Sequence, residues 1–319
     1  MGKLAVVAIG GNSLIKDETH KTVEDQYAAI CETAVHIADM IEGGYDVVIT
    51  HGNGPQVGFA LRRSEIAERT EGIHPVPLVN CGAATQGAIG YQIQQAMGNE
   101  FRRRRMDKTA VTVITQVLVD ADDPAFGNPS KPIGSFFGED QVERVRREHP
   151  DWALVSDAGR GHRRVVASPR PKEIIEAPVI ESLLSQGYCL IAVGGGGIPV
   201  VRRSDGTLEG RDAVIDKDFA SSLLASRLRA DLLVISTGVP QVCVNFGKAD
   251  QRALGRVTAA ELERYAEEGH FAPGSMLPKI QAVIQFLERP GREGRRAVIT
   301  DPQSLGRAVA DRAGTHVVP

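Results

Sequence analysis

Apolar positions along this chain follow two rhythms. Short runs of β-branched and small apolar residues, at 4–9, 47–50 and 190–193, each stop at glycines: Gly10-Gly11, Gly52 with Gly54, and Gly194-Gly195-Gly196-Gly197. Such runs predict buried strands. Between the first two, Tyr27, Ile30, Ala34, Ile37 and Ile41 recur at helical spacing. They follow a capping-box pattern, Thr22-Val23-Glu24-Asp25, and end at Gly43-Gly44, which predicts an amphipathic helix. Strand, helix and strand over residues 4–50 make a βαβ unit and imply a parallel sheet covered by helices. Three strands ending in glycine loops predict one ligand crevice along a single sheet edge. Without a Cβ, the loop N–H groups can approach a ligand, and they favour anions.

Further along, His51-Gly52-Asn53-Gly54-Pro55 places a proline where a helix would begin, its free N–H groups aimed at the loop; a plain strand–helix turn fits equally. Residues 79–98 read as a helix with Asn80 as its cap. Arg102-Arg103-Arg104-Arg105, which has no interleaved aromatics, reads as a solvated helix end, and 110–119 as one strand. From 120 to 168 the composition turns to proline, glycine and aspartate, with a charged helix over Glu139–Glu148 and basic residues at 160–164. This predicts a small protruding lobe inserted in the main domain. Lys131 sits there between Ser130 and Pro132, and spacing alone makes it a surface lysine.

Residues 174–185 predict a helix, 189–193 a strand and 198–201 an extended segment. Asp216-Lys217-Asp218 opens an Ala/Leu-rich helix within 213–229. A lysine there opposes the helix dipole, which leaves an exposed cap cluster or a poised charged site, and a phosphate would explain it. After a strand at 231–236, the loop 237–247 offers Val239, Val242 and Val244 to a flat ring. Helices at 258–267 and 280–287, a strand at Arg296–Thr300 and an element over 308–318 complete the sheet.

Composition narrows the function classes. With 319 residues, 42% hydrophobic and 24% charged, the chain has enough material for a large α/β core. A net charge of −3 gives no electrostatic case for nucleic acid or a membrane surface. No apolar run approaches a membrane span, so a cytoplasmic location is expected. Cys31, Cys81, Cys189 and Cys243 form no CxxC pair, the eight histidines have no metal-ligand spacing, and no resident metal is expected.

Glycine loops plus Lys131, Lys217 and Lys279 suit phosphoryl transfer, which needs positioned reactants and cations on the moving group. P-loop, protein-kinase and GxGxxG signatures are absent. The ordered set of Ala8-Ile9-Gly10-Gly11-Asn12, 51–58 (HGNGPQVG), 128–134 (NPSKPIG), 194–199, Val214-Ile215-Asp216-Lys217-Asp218 and 273–279 (PGSMLPK) resembles the carbamate kinases of the amino-acid-kinase fold family over essentially the whole chain. The resemblance implies a three-layer αβα sandwich around a mainly parallel open sheet, with a small protruding subdomain and a homodimeric assembly. It also implies reversible transfer between carbamoyl phosphate with MgADP and carbamate with MgATP, magnesium arriving with the nucleotide. Residues 1–212 would serve the carbamate side and 213–319 the nucleotide side.

By the same resemblance, Lys217 and Lys279 neutralise the phosphoryl group and Asp218 orients them. Gly10, Gly11, Asn12, Gly52, Asn53, Gly54, Gly195 and Gly196 cradle substrate and phosphate. Asp216, Thr237, Val239, Val242, Phe271, Gly274, Ser275 and Met276 surround the nucleotide. Lys131 moves from the surface into the site, replacing a lysine that many relatives carry in the first strand, where this chain has Ala8. Ser135-Phe136-Phe137 and Cys81-Gly82 depart from the family pattern without removing a charged site residue. The alternatives are synthesis of carbamoyl phosphate, another small acid as acceptor, and a non-catalytic nucleotide sensor.

Overall fold

A computed structural model describes residues 2–10, 22–156, 161–291 and 293–319. The βαβ unit forms as expected from β1 (Lys3–Ile9), α1 (Val23–Glu42) and β2 (Tyr45–His51). Thr22 accepts the Asp25 N–H and the Asp25 carboxylate accepts the Thr22 N–H, so the predicted capping box starts α1. Then come α2 (Gln56–Glu71) and α3 (Leu78–Arg104). Two expectations change here. Pro77 precedes the first turn of α3, so Asn80 lies inside the helix and is no cap. Arg102, Arg103 and Arg105 are exposed as a solvated helix end requires, but Arg104 donates to Glu100, Asp39, Glu42 and the Val35 carbonyl, tying α3 to α1.

The segment 110–119 is two strands, not one. β3 (Ala110–Thr112) edges the main sheet and β4 (Gln116–Val119) joins another. Thr115 makes the switch, with its N–H on Gln86 Oε1 and its hydroxyl on the Val113 carbonyl. β5 (Lys131–Phe137), α4 (Glu139–Glu148), β6 (Ala153–Ser156) and β7 (His162–Val166) then build a separate antiparallel three-stranded sheet with one helix, inside the segment 120–168 and called the lobe below. Ile133 and Val166 bury themselves against Val57 and Leu78 of the body.

β8 (Pro171–Ile174) takes the start of the expected 174–185 helix, and α5 (Ala177–Ser185) begins three residues late, with a proline in its first turn. β9 (Cys189–Ile191), β10 (Ile198–Arg202), β11 (Leu208–Gly210), α6 (Lys217–Arg227) and β12 (Leu232–Ser236) follow. The chain ends with β13 (Cys243–Val244), β14 (Arg252–Ala253), β15 (Arg256–Thr258), α7 (Ala259–Glu267), α8 (Met276–Glu288), β16 (Arg296–Thr300), α9 (Leu305–Val309) and β17 (Thr315–Val318).

The main sheet has the order β15-β17-β16-β12-β1-β2-β9-β3, parallel throughout except between β16 and β17. Strand alternation makes the layers. Ala5, Val7 and Ile9 bury against Ile30 and Ile37 of α1 and Ile93 of α3, whereas Leu4, Val6 and Ala8 belong to the opposite cluster with Leu224 of α6 and Ile280 of α8. The result is the three-layer αβα sandwich. Because β1, β2 and β9 are parallel neighbours, Gly10, Gly52 and Gly194 lie beyond their ends at one edge. Among the described residues no helix is long and apolar enough to cross a membrane.

Candidate active site

The loop after β9 dictates much of the local geometry. Gly195, Gly196 and Gly197 hold φ of +66, +92 and +89, backbone that side chains rarely adopt. Its position is fixed by Gln86 of α3, whose amide donates to the Gly194 carbonyl at 2.9 Å and the Thr115 carbonyl at 3.0 Å. A Cβ on Gly194 would strike the His51 ring, and one on Gly195 would strike Asn53. The second and third glycine loops are therefore in contact. His51 is 1% exposed. Burial lowers its pKa to about 4, a bond to the Gly52 carbonyl opposes this, and nearby Lys217 adds to it, so the ring is neutral at pH 7 with Nδ1–H donating to that carbonyl.

The charged centre forms where α6 begins. Asp216 caps that helix, accepting the Asp218 N–H at 2.9 Å. Asp218, 3% exposed at its side chain, lies between two ammonium groups, with Lys217 Nζ 3.1 Å from Oδ1 and Lys279 Nζ 3.1 Å from Oδ2. Burial pushes the Asp218 carboxyl up, but the two lysines outweigh it and hold its pKa at about 2. Burial pulls the Lys217 ammonium below its ordinary range; Lys279 reinforces that shift and Asp218 resists it. Lys279 projects from the first turn of α8 and also donates to the Ser275 carbonyl. From the lobe, Lys131 reaches across to Asp216 Oδ2 at 2.6 Å. Lys217 escapes the unfavourable helix dipole because its side chain turns back to Asp218 and the Ala8 carbonyl.

Two clefts meet at this cluster. The first, about 200 Å³, is lined by Gly52, Asn53, Gly54, Gly195, Gly274 and the charged residues Lys131, Asp216, Lys217, Asp218 and Lys279. The second, about 240 Å³, is lined by Thr237, Val239, Phe271, Met276 and residues that include Gln241, Cys243 and Phe246. Ser275 and Lys279 line both. An anion in one cleft and an anion in the other would thus face each other across Lys279.

Several expected residues take other places. Val242 and Val244 are buried in the core, so neither side chain is available to a flat ring; Phe246 lines the cleft there instead, beside the expected Phe271. Gly196 does not line the first cleft but abuts the Ile215 carbonyl. Asp216 lines the first cleft, not the second. Gly10 lies against the end of β12, where a Cβ would be 2.7 Å from the Ser236 carbonyl and 3.7 Å from Lys217 Nζ. Gly11 and Asn12 lie outside the described residues.

Sequence reading missed other contributors. Thr50 and Ser221 share a hydrogen bond of 2.6 Å, and the Ser221 hydroxyl donates to the Lys217 carbonyl. Arg163, from the lobe's basic stretch, lines the first cleft. Gly58 lets α2 touch Gly134 of β5, backbone to backbone. Gly58 and Gly134 each end a glycine-bearing motif, 51–58 and 128–134, which was the available signal for that contact. Among the described residues, no group of three or more His, Cys, Asp or Glu side chains is arranged to hold a metal ion.

The chain is similar to known proteins over its whole length. A model of the amino acid kinase family matches residues 3–301. A carbamate kinase-like protein of Escherichia coli is 54% identical, the match covering 100% of this chain and 99% of that one. The carbamate kinase of Thermococcus kodakarensis is 47% identical, with 99% of each chain covered. A solved structure of Giardia lamblia carbamate kinase bound to AMP-PNP superposes with a TM-score of 0.90 at 40% identity, covering 99% of this chain and 98% of the other. The chain belongs to the amino acid kinase family, among its carbamate kinases.

Proposed function

We propose that this protein is a carbamate kinase, moving a phosphoryl group reversibly between carbamoyl phosphate and ADP. The observation that carries the reading is the placement of Lys217, Asp218 and Lys279 where the two clefts join. In the ATP-forming direction the bond between phosphorus and the carbamate oxygen breaks. A new bond forms from phosphorus to a terminal β-phosphate oxygen of ADP, and carbamate leaves as the anion. No proton need move. What the protein supplies is alignment and positive charge on the equatorial oxygens.

In this reading Lys217 and Lys279 neutralise the moving group from its two sides, and Asp218 keeps both charged and aimed. Gly10, Gly52, Asn53, Gly54 and Gly195 cradle the carbamoyl phosphate, with Gly11 and Asn12 beside them by resemblance. Lys131 anchors the carbamoyl phosphate from the lobe. The adenosine end occupies the second cleft, against Thr237, Val239, Phe271, Ser275 and Met276. Residues 1–212 thus contribute mainly to the carbamate side and 213–319 to the nucleotide side. Asp216 and Asp218 are each already paired with lysine, which fits a magnesium ion held mainly by nucleotide phosphates and water. When bound, that ion supplies charge neutralisation on the transferred phosphates. A homodimeric assembly in the cytoplasm belongs to the same reading, and sedimentation of the purified protein tests the dimer.

The assay is ATP formation from MgADP with carbamoyl phosphate and, separately, acetyl phosphate. Strong preference for carbamoyl phosphate supports the proposal. Preference for acetyl phosphate assigns a different acid, and no turnover with ADP still bound assigns a nucleotide sensor.

A further inference from the structure

The small sheet β5-β7-β6 meets the body where Lys131 pairs with Asp216, and again at Arg164. There Arg164 of β7 donates from Nη1 to Glu65 Oε1 of α2 at 3.2 Å. Its guanidinium lies 4.1 Å from the centroid of Trp152, and Trp152 stacks on His149 with centroids 3.8 Å apart and planes 6° apart. Both charged side chains are mostly covered, Arg164 at 21% exposed and Glu65 at 28%. Burial shifts each toward its neutral form, raising Glu65 and lowering Arg164, while each charge partly restores the other. Lone charges in that position would be costly, so each depends on its partner.

The pair sits on a lever. Gly58 and Glu65 are seven residues apart, two turns, and so share one face of α2. At Gly58 the helix meets Gly134 of β5 without an intervening side chain. Arg164 is the ladder partner of Ile133, and Lys131 pairs with Val166 two residues along the same strands. Lys131 therefore lies about 10 Å along β5 from the Gly134 fulcrum, at about 3.3 Å per residue. A tilt of about 10° there would move it by nearly 2 Å, and misplacement by 1 Å in a transfer site costs up to about a hundredfold. The other end of α2 begins at the loop whose Gly52, Asn53 and Gly54 line the first cleft.

We propose that Glu65 and Arg164 are positioning residues that set the tilt of the lobe on α2, and through it the reach of Lys131 into the phosphoryl-transfer cleft. The inference rests on the carbamate kinase reading for its kinetic test, but it has a second readout independent of activity. Trp152 is the chain's one tryptophan; it lies between the Arg164 guanidinium and the His149 ring, and Glu65 holds the guanidinium by a direct hydrogen bond.

The experiment compares Glu65→Gln and Arg164→Lys, each alone and in a Lys131→Ala background. Alone, Glu65→Gln raises KM for carbamoyl phosphate about tenfold and leaves KM for ADP within about twofold; in the Lys131→Ala background it adds less than twofold. Arg164→Lys, which keeps a charge opposite Glu65, raises KM for carbamoyl phosphate by less than Glu65→Gln does. The same tenfold loss in both backgrounds, or equal losses for both substrates, overturns the proposal in favour of a merely structural pair. In parallel, Glu65→Gln shifts the emission of Trp152 as the guanidinium leaves the indole; unchanged emission overturns it too. If the wild-type protein makes no ATP, the enzymatic reading fails, and the fluorescence arm still decides whether Glu65 holds Arg164 in place.

Discussion

Replacing Asp218 with asparagine keeps the shape of the side chain and removes the negative charge between Lys217 and Lys279. Each ammonium nitrogen is 3.1 Å from a carboxylate oxygen. At an effective dielectric of about 20, that distance corresponds to about 5 kcal/mol of attraction per pair. Desolvation of the three charges offsets much of it, and breaking such a buried pair typically costs about 3–5 kcal/mol in all. In the variant the two ammonium groups repel each other without a mediator. Lys217, already pulled down by burial, then loses its proton more easily still. The expected outcome is a fall in kcat by roughly two or more orders of magnitude, the scale seen when a preorganised charge is lost. The basic limb of the pH–rate profile moves to lower pH. ADP affinity changes little, because Asp218 does not line the second cleft. Steady-state kinetics across pH with calorimetry for ADP would read all three. A kcat within about tenfold of wild type, with the basic limb unmoved, refutes the reasoning.

Three further outcomes follow from the same geometry. Lys131→Ala should weaken use of carbamoyl phosphate by roughly ten- to a hundredfold, the worth of a charged hydrogen bond, and spare ADP binding; equal losses in kinetics and calorimetry would make Lys131 structural. His51 has its folded pKa depressed from 6.5 to about 4. The unfolded chain therefore takes up its proton first as pH falls, and stability is full above pH 6.5 and lost between 6.5 and 4, by about 3 kcal/mol. Denaturant unfolding at several pH values should show that slope, flattened in His51→Gln; an equal slope in both proteins assigns it elsewhere. Gly58→Ala drives a Cβ into the Gly134 backbone, and should cost about 1–3 kcal/mol of stability while raising KM for carbamoyl phosphate; an unchanged KM would show that the lobe angle tolerates the shift.

Much of the fold was legible because strand ends, caps and glycine loops are local. The run 4–9 into Gly10, the capping box at Thr22 and the glycines after β2 and β9 needed no long-range information. Sheet membership was not local. Residues 110–119 look like one apolar strand, and only the bonds of Thr115 to Gln86 and Val113 show that the chain changes sheets there. Nor does a valine in a loop announce which way it faces: Val242 turned into the core because its N–H is held by Thr315. In the site, Lys217 stood out by opposing a helix dipole, which is a local contradiction. Lys131 has no such mark. Its partner Asp216 lies 85 residues away, so spacing left it on the surface until the family resemblance and then the structure put it in the cleft. The Gly58–Gly134 contact was hidden for the same reason.

The claim at the centre of this account is that the lysines on either side of Asp218 move the phosphoryl group. Its most direct test measures kcat for ATP formation from carbamoyl phosphate and MgADP in wild type, Lys217→Ala and Lys279→Ala, with ADP affinity determined on the same preparations. The account predicts wild-type turnover and a loss of roughly two or more orders of magnitude in each variant, with ADP still bound. Near-wild-type turnover in either variant would contradict it.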